Sequence, residues 1–122
     1  MALRVLVVDD SISTRALIGR TLKSAGHEVL EAIDGQQALD ALSEAAFDIV
    51  VTDQWMPNVT GLELVRAVRA QPRLADMPIL AITTDAEEDL RGEVMGAGAS
   101  ACILKPFGPD ELLTAISRLV EG

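Results

Sequence analysis

The first apolar run of this 122-residue chain, RVLVV at residues 4–8, ends at once in two adjacent carboxylates, Asp9 and Asp10. Like charges this close make each other harder to ionise, so the pair calls for a cation. A third acid, Asp53, follows DIVVT; Thr83 closes PILAIT and Lys105 closes ACILK. Acids, a hydroxyl and an ammonium at the ends of apolar runs suit a hard divalent cation beside a phosphoryl group. Mg²⁺ prefers oxygen ligands, takes one or two carboxylates and bridges to phosphate oxygens. A carboxylate beside it can act as nucleophile and form an aspartyl phosphate. Asp53, central and preceded by the apolar IVVT, is the best-placed nucleophile. Lys105 and the Thr83 hydroxyl would bind the phosphoryl oxygens and share the developing charge.

Each feature alone has an ordinary explanation. An acid pair after a strand is often a turn and helix cap, and Asp10 or Ser11 fits that role. A lone Asp is a loop residue, Lys-Pro marks a helix boundary, and Thr83-Thr84 reads as a capping pair. The chemistry rests on convergence, and convergence depends on the elements that carry these residues.

Runs of strand length alternate with segments of helical period. Strands are predicted over 4–8, 28–32, 48–52, 78–83 and 101–105. Between the first two, a helix over 13–24 places Leu17, Ile18 and Leu22 on one face. QQALDALSEA carries Ala38, Leu39 and Leu42 at helical spacing, and GLELVRAVRA groups Leu62, Val65 and Val68. A shorter helix over 85–95 begins at a capping box, Thr84 to Glu87. The last helix takes Pro109 at its first position and acids in its first turn. The strands are rich in Val, Ile and Leu and mostly do not alternate, as expected of strands buried on both faces. Five such units predict an α/β fold: a doubly wound, five-stranded parallel sheet, helices on both faces, in the flavodoxin-like order 2-1-3-4-5. Ligands bind such sheets at the carboxyl ends of the strands, where all five candidate residues fall.

Composition narrows the function. The length suits one domain over 1–122. No apolar run approaches the ~20 residues needed to cross a bilayer, and the N-terminus turns acidic too soon for a secretory signal, so a cytoplasmic protein is expected. The initial Met and complete final helix predict a stand-alone chain. A net charge of −9 argues against nucleic acid or an anionic membrane as partner. The single cysteine, Cys102, reads as a small core residue. The single histidine, His27, supports neither a zinc site nor a catalytic pair. The glycine-free DDSIST loop argues against a dinucleotide or P-loop site.

With these features together, the chain resembles the receiver domain of bacterial two-component response regulators, most closely the stand-alone chemotaxis type. VVDDS, TDQWMPNVTGLEL, ILAITT and GAGASACILKPF carry the resemblance, which spans essentially the whole chain. It implies that Asp53 accepts a phosphoryl group from a sensor histidine kinase or phosphotransfer protein. It further implies that Asp10 and Asp53 ligate Mg²⁺, that Asp9 helps through water, and that the Trp55 backbone carbonyl completes the protein ligands. Thr83 is then the switch hydroxyl and Lys105 the phosphate-binding ammonium. Met56-Pro57 and Gly61 match the loop that shapes the metal side. With no effector domain, output passes to a protein target through the face of helix 4, strand 5 and helix 5, and a monomer is expected. Such a protein is a signalling switch that catalyses its own phosphoryl transfer and slow self-dephosphorylation, and is otherwise no enzyme.

Four positions depart from the family pattern. Cys102 stands where the family carries its switch aromatic, and is too small to report a movement of Thr83. Trp55 follows the acceptor by two residues, where an indole would screen the phosphoryl group from water. Asp85 follows Thr83 by two, where it would orient a water; of the two, slower self-hydrolysis is expected. Thr60 replaces an acid common before the glycine, which affects local loop contacts. Three other functions fit these residues less well. A metal-dependent phosphohydrolase places its nucleophile in Asp-x-Asp after strand 1, whereas here the acids are adjacent and the acceptor follows strand 3. A flavin carrier conflicts with the acidic first loop and the scarcity of aromatics. An inert scaffold conflicts with the intact set of acids, Thr83 and Lys105.

Overall fold

The computed structural model describes residues 2–54, 59–84 and 88–121. Its strands are β1 (Arg4–Val8), β2 (Glu28–Ala32), β3 (Ile49–Asp53), β4 (Ile79–Thr83) and β5 (Ala101–Leu104). The helices are α1 (Ile12–Ser24), α2 (Gly35–Glu44), α3 (Gly61–Ala70), α4 (Glu88–Ala97) and α5 (Pro109–Glu121). All strand pairs are parallel and the sheet order is β2-β1-β3-β4-β5, as expected.

Two apolar layers hold the helices to the sheet. On one face Leu6, Val8, Val50, Ile79 and Ala81 pack against Ala38 and Leu42 of α2, Leu64, Val65 and Val68 of α3, and Val94 of α4. On the other, Val5, Val7, Ile49, Val51, Leu80 and Ile82 pack against Ile18 and Leu22 of α1 and Leu112 and Ile116 of α5. Burial of each such side chain contributes about 1.5–3 kcal/mol. All of β3 and β4 is buried, so the carboxyl end of the central sheet is covered by helices on both faces.

Several expectations need correction. Leu17 does not share the buried face of α1; it is 55% exposed, while Ile18, Gly19 and Leu22 face the core. Ile18 and Leu22, four apart, already span the contact with the sheet, and Leu17 lies about 100° round the helix. Strand β2 is not buried on both faces: Glu28, Leu30 and Glu31 are exposed, because β2 is an edge strand paired only with β1. Charged residues there discourage pairing with another chain. Strand β3 runs one residue later than expected and ends on Asp53 itself, so the candidate nucleophile is the last strand residue. Lys105 falls just past β5. The expected capping box from Thr84 to Glu87 involves positions outside the described residues.

Candidate functional site

The acid pair divides at the end of β1. The Asp9 N–H donates to the Ala32 carbonyl at 3.1 Å, continuing the β1–β2 ladder, and turns the Asp9 side chain inward at 1% exposure. Its Oδ1 accepts from the Ser11 N–H at 2.8 Å, while the buried Oδ2 has no partner among the described residues. Asp10 is exposed. Ser11, and not Asp10, caps α1, its hydroxyl accepting from the Thr14 N–H at 3.3 Å. Neither acid is therefore used up as a helix cap. Arg15 of α1 braces the turn, donating from Nη1 to the Asp9 carbonyl at 2.7 Å and pairing with Glu31 at 3.2 Å.

Asp53 is held from both sides. Its Oδ1 accepts from the Gln54 N–H at 2.8 Å and lies 3.5 Å from Lys105 Nζ. The lysine is placed by the adjoining strand: its backbone N–H donates to the Thr83 carbonyl at 2.7 Å. One carboxylate oxygen from each of Asp9, Asp10 and Asp53 lies within 4.8 Å of the others. Burial pushes the carboxyl of Asp53 above its ordinary range, and the Asp9 charge adds to this against the pull of the Gln54 N–H and Lys105. Burial likewise raises Asp9, with Asp10 adding and the Ser11 N–H, Lys105 and Arg15 opposing. The three acids are thus short of positive charge, and Asp9 Oδ2 is an unused inward acceptor. Oxygen-only donors with this deficit fit a hard divalent cation of the Mg²⁺ kind, which binds through few carboxylates and keeps waters.

Of the expected residues, the fold brings together Asp9, Asp10, Asp53 and Lys105. Thr83 ends β4 beside them, 1% exposed, with its Oγ1 unpartnered among the described residues. Trp55, whose carbonyl was expected as a ligand, and Asp85 lie outside the described residues, as do Met56 and Pro57.

Contributions went unread in the sequence. Thr60 and Glu63 form a capping box at the start of α3: Glu63 N–H donates to Thr60 Oγ1 at 3.2 Å, and Thr60 N–H to Glu63 Oε1 at 3.1 Å. Its Thr-x-x-Glu spacing was present in TGLE. Gly61 passes so close to the acceptor that an added Cβ would sit 2.3 Å from the Asp53 carbonyl oxygen. Gln54 is 2% exposed although polar, and nothing in its neighbours signals that burial.

Known proteins are similar to this chain in sequence and fold. Residues 5–117 match the family described as "Response regulator receiver domain". Over 120 residues the chain is 38% identical to the chemotaxis protein CheY of Pseudomonas aeruginosa, covering 98% of this chain and 97% of that protein. It also matches the sensor protein EvgS of Escherichia coli at 38% identity, spanning 10% of that longer protein. The chemotaxis response regulator CheY4 of Vibrio cholerae superposes with a TM-score of 0.91 at 41% identity, covering 98% of this chain and 99% of the other. The receiver domain of the sensor histidine kinase PA1611 of Pseudomonas aeruginosa superposes at 0.92 with 28% identity and full coverage of both chains. Its structure holds a magnesium ion coordinated in the active-site cleft. With the acids, the lysine and the hydroxyl gathered at the carboxyl end of a 2-1-3-4-5 sheet, this chain belongs to the response regulator receiver domain family.

Proposed function

We propose that this receiver takes a phosphoryl group from the phosphohistidine of a sensor kinase or phosphotransfer protein onto Asp53. The observation that carries the reading is the placement of Asp53. It ends the buried β3 with one oxygen within 4.8 Å of both Asp9 and Asp10 and with Lys105 Nζ at 3.5 Å. An Asp53 carboxylate oxygen attacks phosphorus, the P–N bond breaks, and its electron pair returns to the imidazole. Lys105 donates to the phosphoryl oxygens and offsets the charge that Asp53 carries in a buried setting. The Thr83 hydroxyl, unpartnered and one strand away, supplies a further donor.

Asp9, Asp10 and Asp53 would hold Mg²⁺, with the Trp55 carbonyl as a further ligand. When bound, the ion neutralises carboxylate repulsion and lets a phosphoryl group approach. Asp9 Oδ2 fits the task of orienting a ligand water. The protein's own catalysis is limited to this transfer and to slow loss of the phosphoryl group to water, which the Trp55 indole retards and Asp85 favours.

The output is a changed surface on α4, β5 and α5, recognised by a protein target in the cytoplasm, with the protein acting as a monomer. With Cys102 in place of an aromatic, the change is transmitted through the shift of Thr83. Chemotaxis is the process favoured by the resemblance to CheY proteins.

Incubation with Mg²⁺ and a small acyl phosphate, followed by intact mass, tests the reading. One added phosphoryl group, absent in Asp53→Asn, supports it; an unmodified wild type refutes it.

A further inference from the structure

The two edges of the sheet are protected unequally. Strand β2 carries exposed Glu28 and Glu31, charges that discourage pairing with another chain. Strand β5, ACIL over Ala101–Leu104, has no charge and pairs only with β4. Register fixes which of its backbone groups are left over. Leu104 lies opposite Thr83, and the Lys105 N–H donates to the Thr83 carbonyl at 2.7 Å. Alternation then turns Ile103 toward β4 and leaves the N–H and C=O of Cys102 and Leu104 on the outer edge.

A groove runs along each side of this edge. Toward α5, one of about 530 Å³ lies over Ala101 and is walled by Asp110, Glu111, Ala115 and Arg118. Toward α4, one of about 620 Å³ lies over Cys102 and Leu104 and is walled by Arg91, Gly92 and Met95. Ala101 and Cys102 are too short to fill them, and a Cβ added at Gly92 would meet nothing within 4 Å. A strand laid along an edge sends alternate side chains to opposite faces. Two grooves flanking one strand suit that spacing, whereas a helix would occupy only one of them.

We propose that β5 takes up an extended segment of the target protein as a sixth strand, with bulky apolar side chains filling the groove over Cys102. This rests on the reading of α4, β5 and α5 as the output face. Charge defines the segment further. Asp110 and Glu111 lie in the first turn of α5, beside the carboxyl end of β5, and Arg118 lies two turns further on. Seven or eight helical residues span ~11 Å, close to the ~13 Å of four strand residues. The segment therefore carries a basic and an acidic residue four apart on the side facing α5, with bulky apolar residues between them facing α4. A second copy of this chain fits poorly. Its own β5 would bring only short side chains, Ala101 and Cys102, to the grooves, and two chains of net charge −9 repel.

Selection from a random ten-residue peptide display library on the full chain, loaded with beryllium fluoride and Mg²⁺ as a phosphoryl mimic, tests this. Enriched peptides should show the alternating pattern with an acid and a base four apart. When a selected peptide binds, the amides of Cys102 and Leu104 should become protected from hydrogen exchange. N-methylation of alternate peptide amides leaves the protein untouched and should weaken binding about 3- to 10-fold per hydrogen bond lost. Cys102→Pro removes an outward N–H where an edge strand tolerates proline, and should weaken binding similarly. Arg118→Glu should also weaken it, and exchanging the peptide's acid for lysine should restore it. Peptides of helical spacing, unprotected Cys102 and Leu104 amides, self-association of the chain through β5, or no enrichment would each overturn the proposal. Equal affinity for the loaded chain and for Asp53→Asn keeps strand addition and removes instead the coupling of this face to phosphorylation.

Discussion

Lys105 Nζ lies 3.5 Å from Asp53 Oδ1 at the buried end of the central sheet, the one ion pair among the described residues that reaches the candidate nucleophile. It opposes the charge crowding but does not cancel it, because burial and Asp9 still hold Asp53 above its ordinary range. The site is therefore short of positive charge, and its stability should respond to anything that changes that balance.

Asp53→Asn should raise the melting temperature by a few degrees at neutral pH without Mg²⁺. A carboxyl whose folded pKa is raised binds more protons in the native state than in the unfolded one. Stability then falls as pH rises from about 4 through the folded value. The gain in Asp53→Asn should shrink below pH 4, where both states are protonated. Thermal melts at pH 7 and pH 3.5 check this; a gain equal at both pH values would contradict it.

Mg²⁺ should raise the melting temperature, and Asp10→Ala should lose most of that response. Binding at a hundredfold excess over Kd stabilises by about 2.7 kcal/mol. For a chain of this length that corresponds to a shift on the order of 10 °C. Chelator addition should reverse it. Asp10 is exposed, so its removal disturbs the fold little and the loss reports on binding.

Lys105→Met should lower stability at neutral pH without Mg²⁺, by roughly 2–5 °C in melting temperature, the scale of a partly exposed ion pair. It should also slow phosphorylation by acyl phosphate about 10²-fold, as for loss of one donor to a developing charge. Time-resolved intact mass measures the rate, and a rate equal to wild type would remove Lys105 from the mechanism.

Gly61→Ala should destabilise by about 1–3 kcal/mol, the usual range for overpacking, because its Cβ meets the Asp53 carbonyl oxygen at 2.3 Å and Gln54 Cα at 3.0 Å. Weaker Mg²⁺ binding should accompany this, since the shift falls on the acceptor itself. Gly92→Ala in α4 is the control. A Cβ there meets nothing within 4 Å, and the change should stabilise by about 0.4–1 kcal/mol. Urea titration of the two variants gives both signs in one experiment.

Much of this site could be read from residue order. Apolar runs of five, separated by segments of helical period, leave a parallel sheet with helices on both faces as the arrangement that buries them, and that places Asp9, Asp10, Asp53, Thr83 and Lys105 on one edge. Residue type then limits the ligand to a hard cation and a phosphoryl group. Tertiary structure decided what periodicity does not encode. Which strand lies at the edge depends on the partners present, so β2 carries exposed Leu30 where a buried strand was expected. How far a helix face extends depends on the width of the sheet beneath it, so Leu17 is exposed while Ile18 is not. The burial of Gln54 depends on how closely α3 approaches β3, which Gly61 permits and the pattern of neighbouring residues does not announce. Separations such as 3.5 Å between Lys105 and Asp53 arise only when elements far apart in the chain are packed, because they are set by contacts between layers and not by local order.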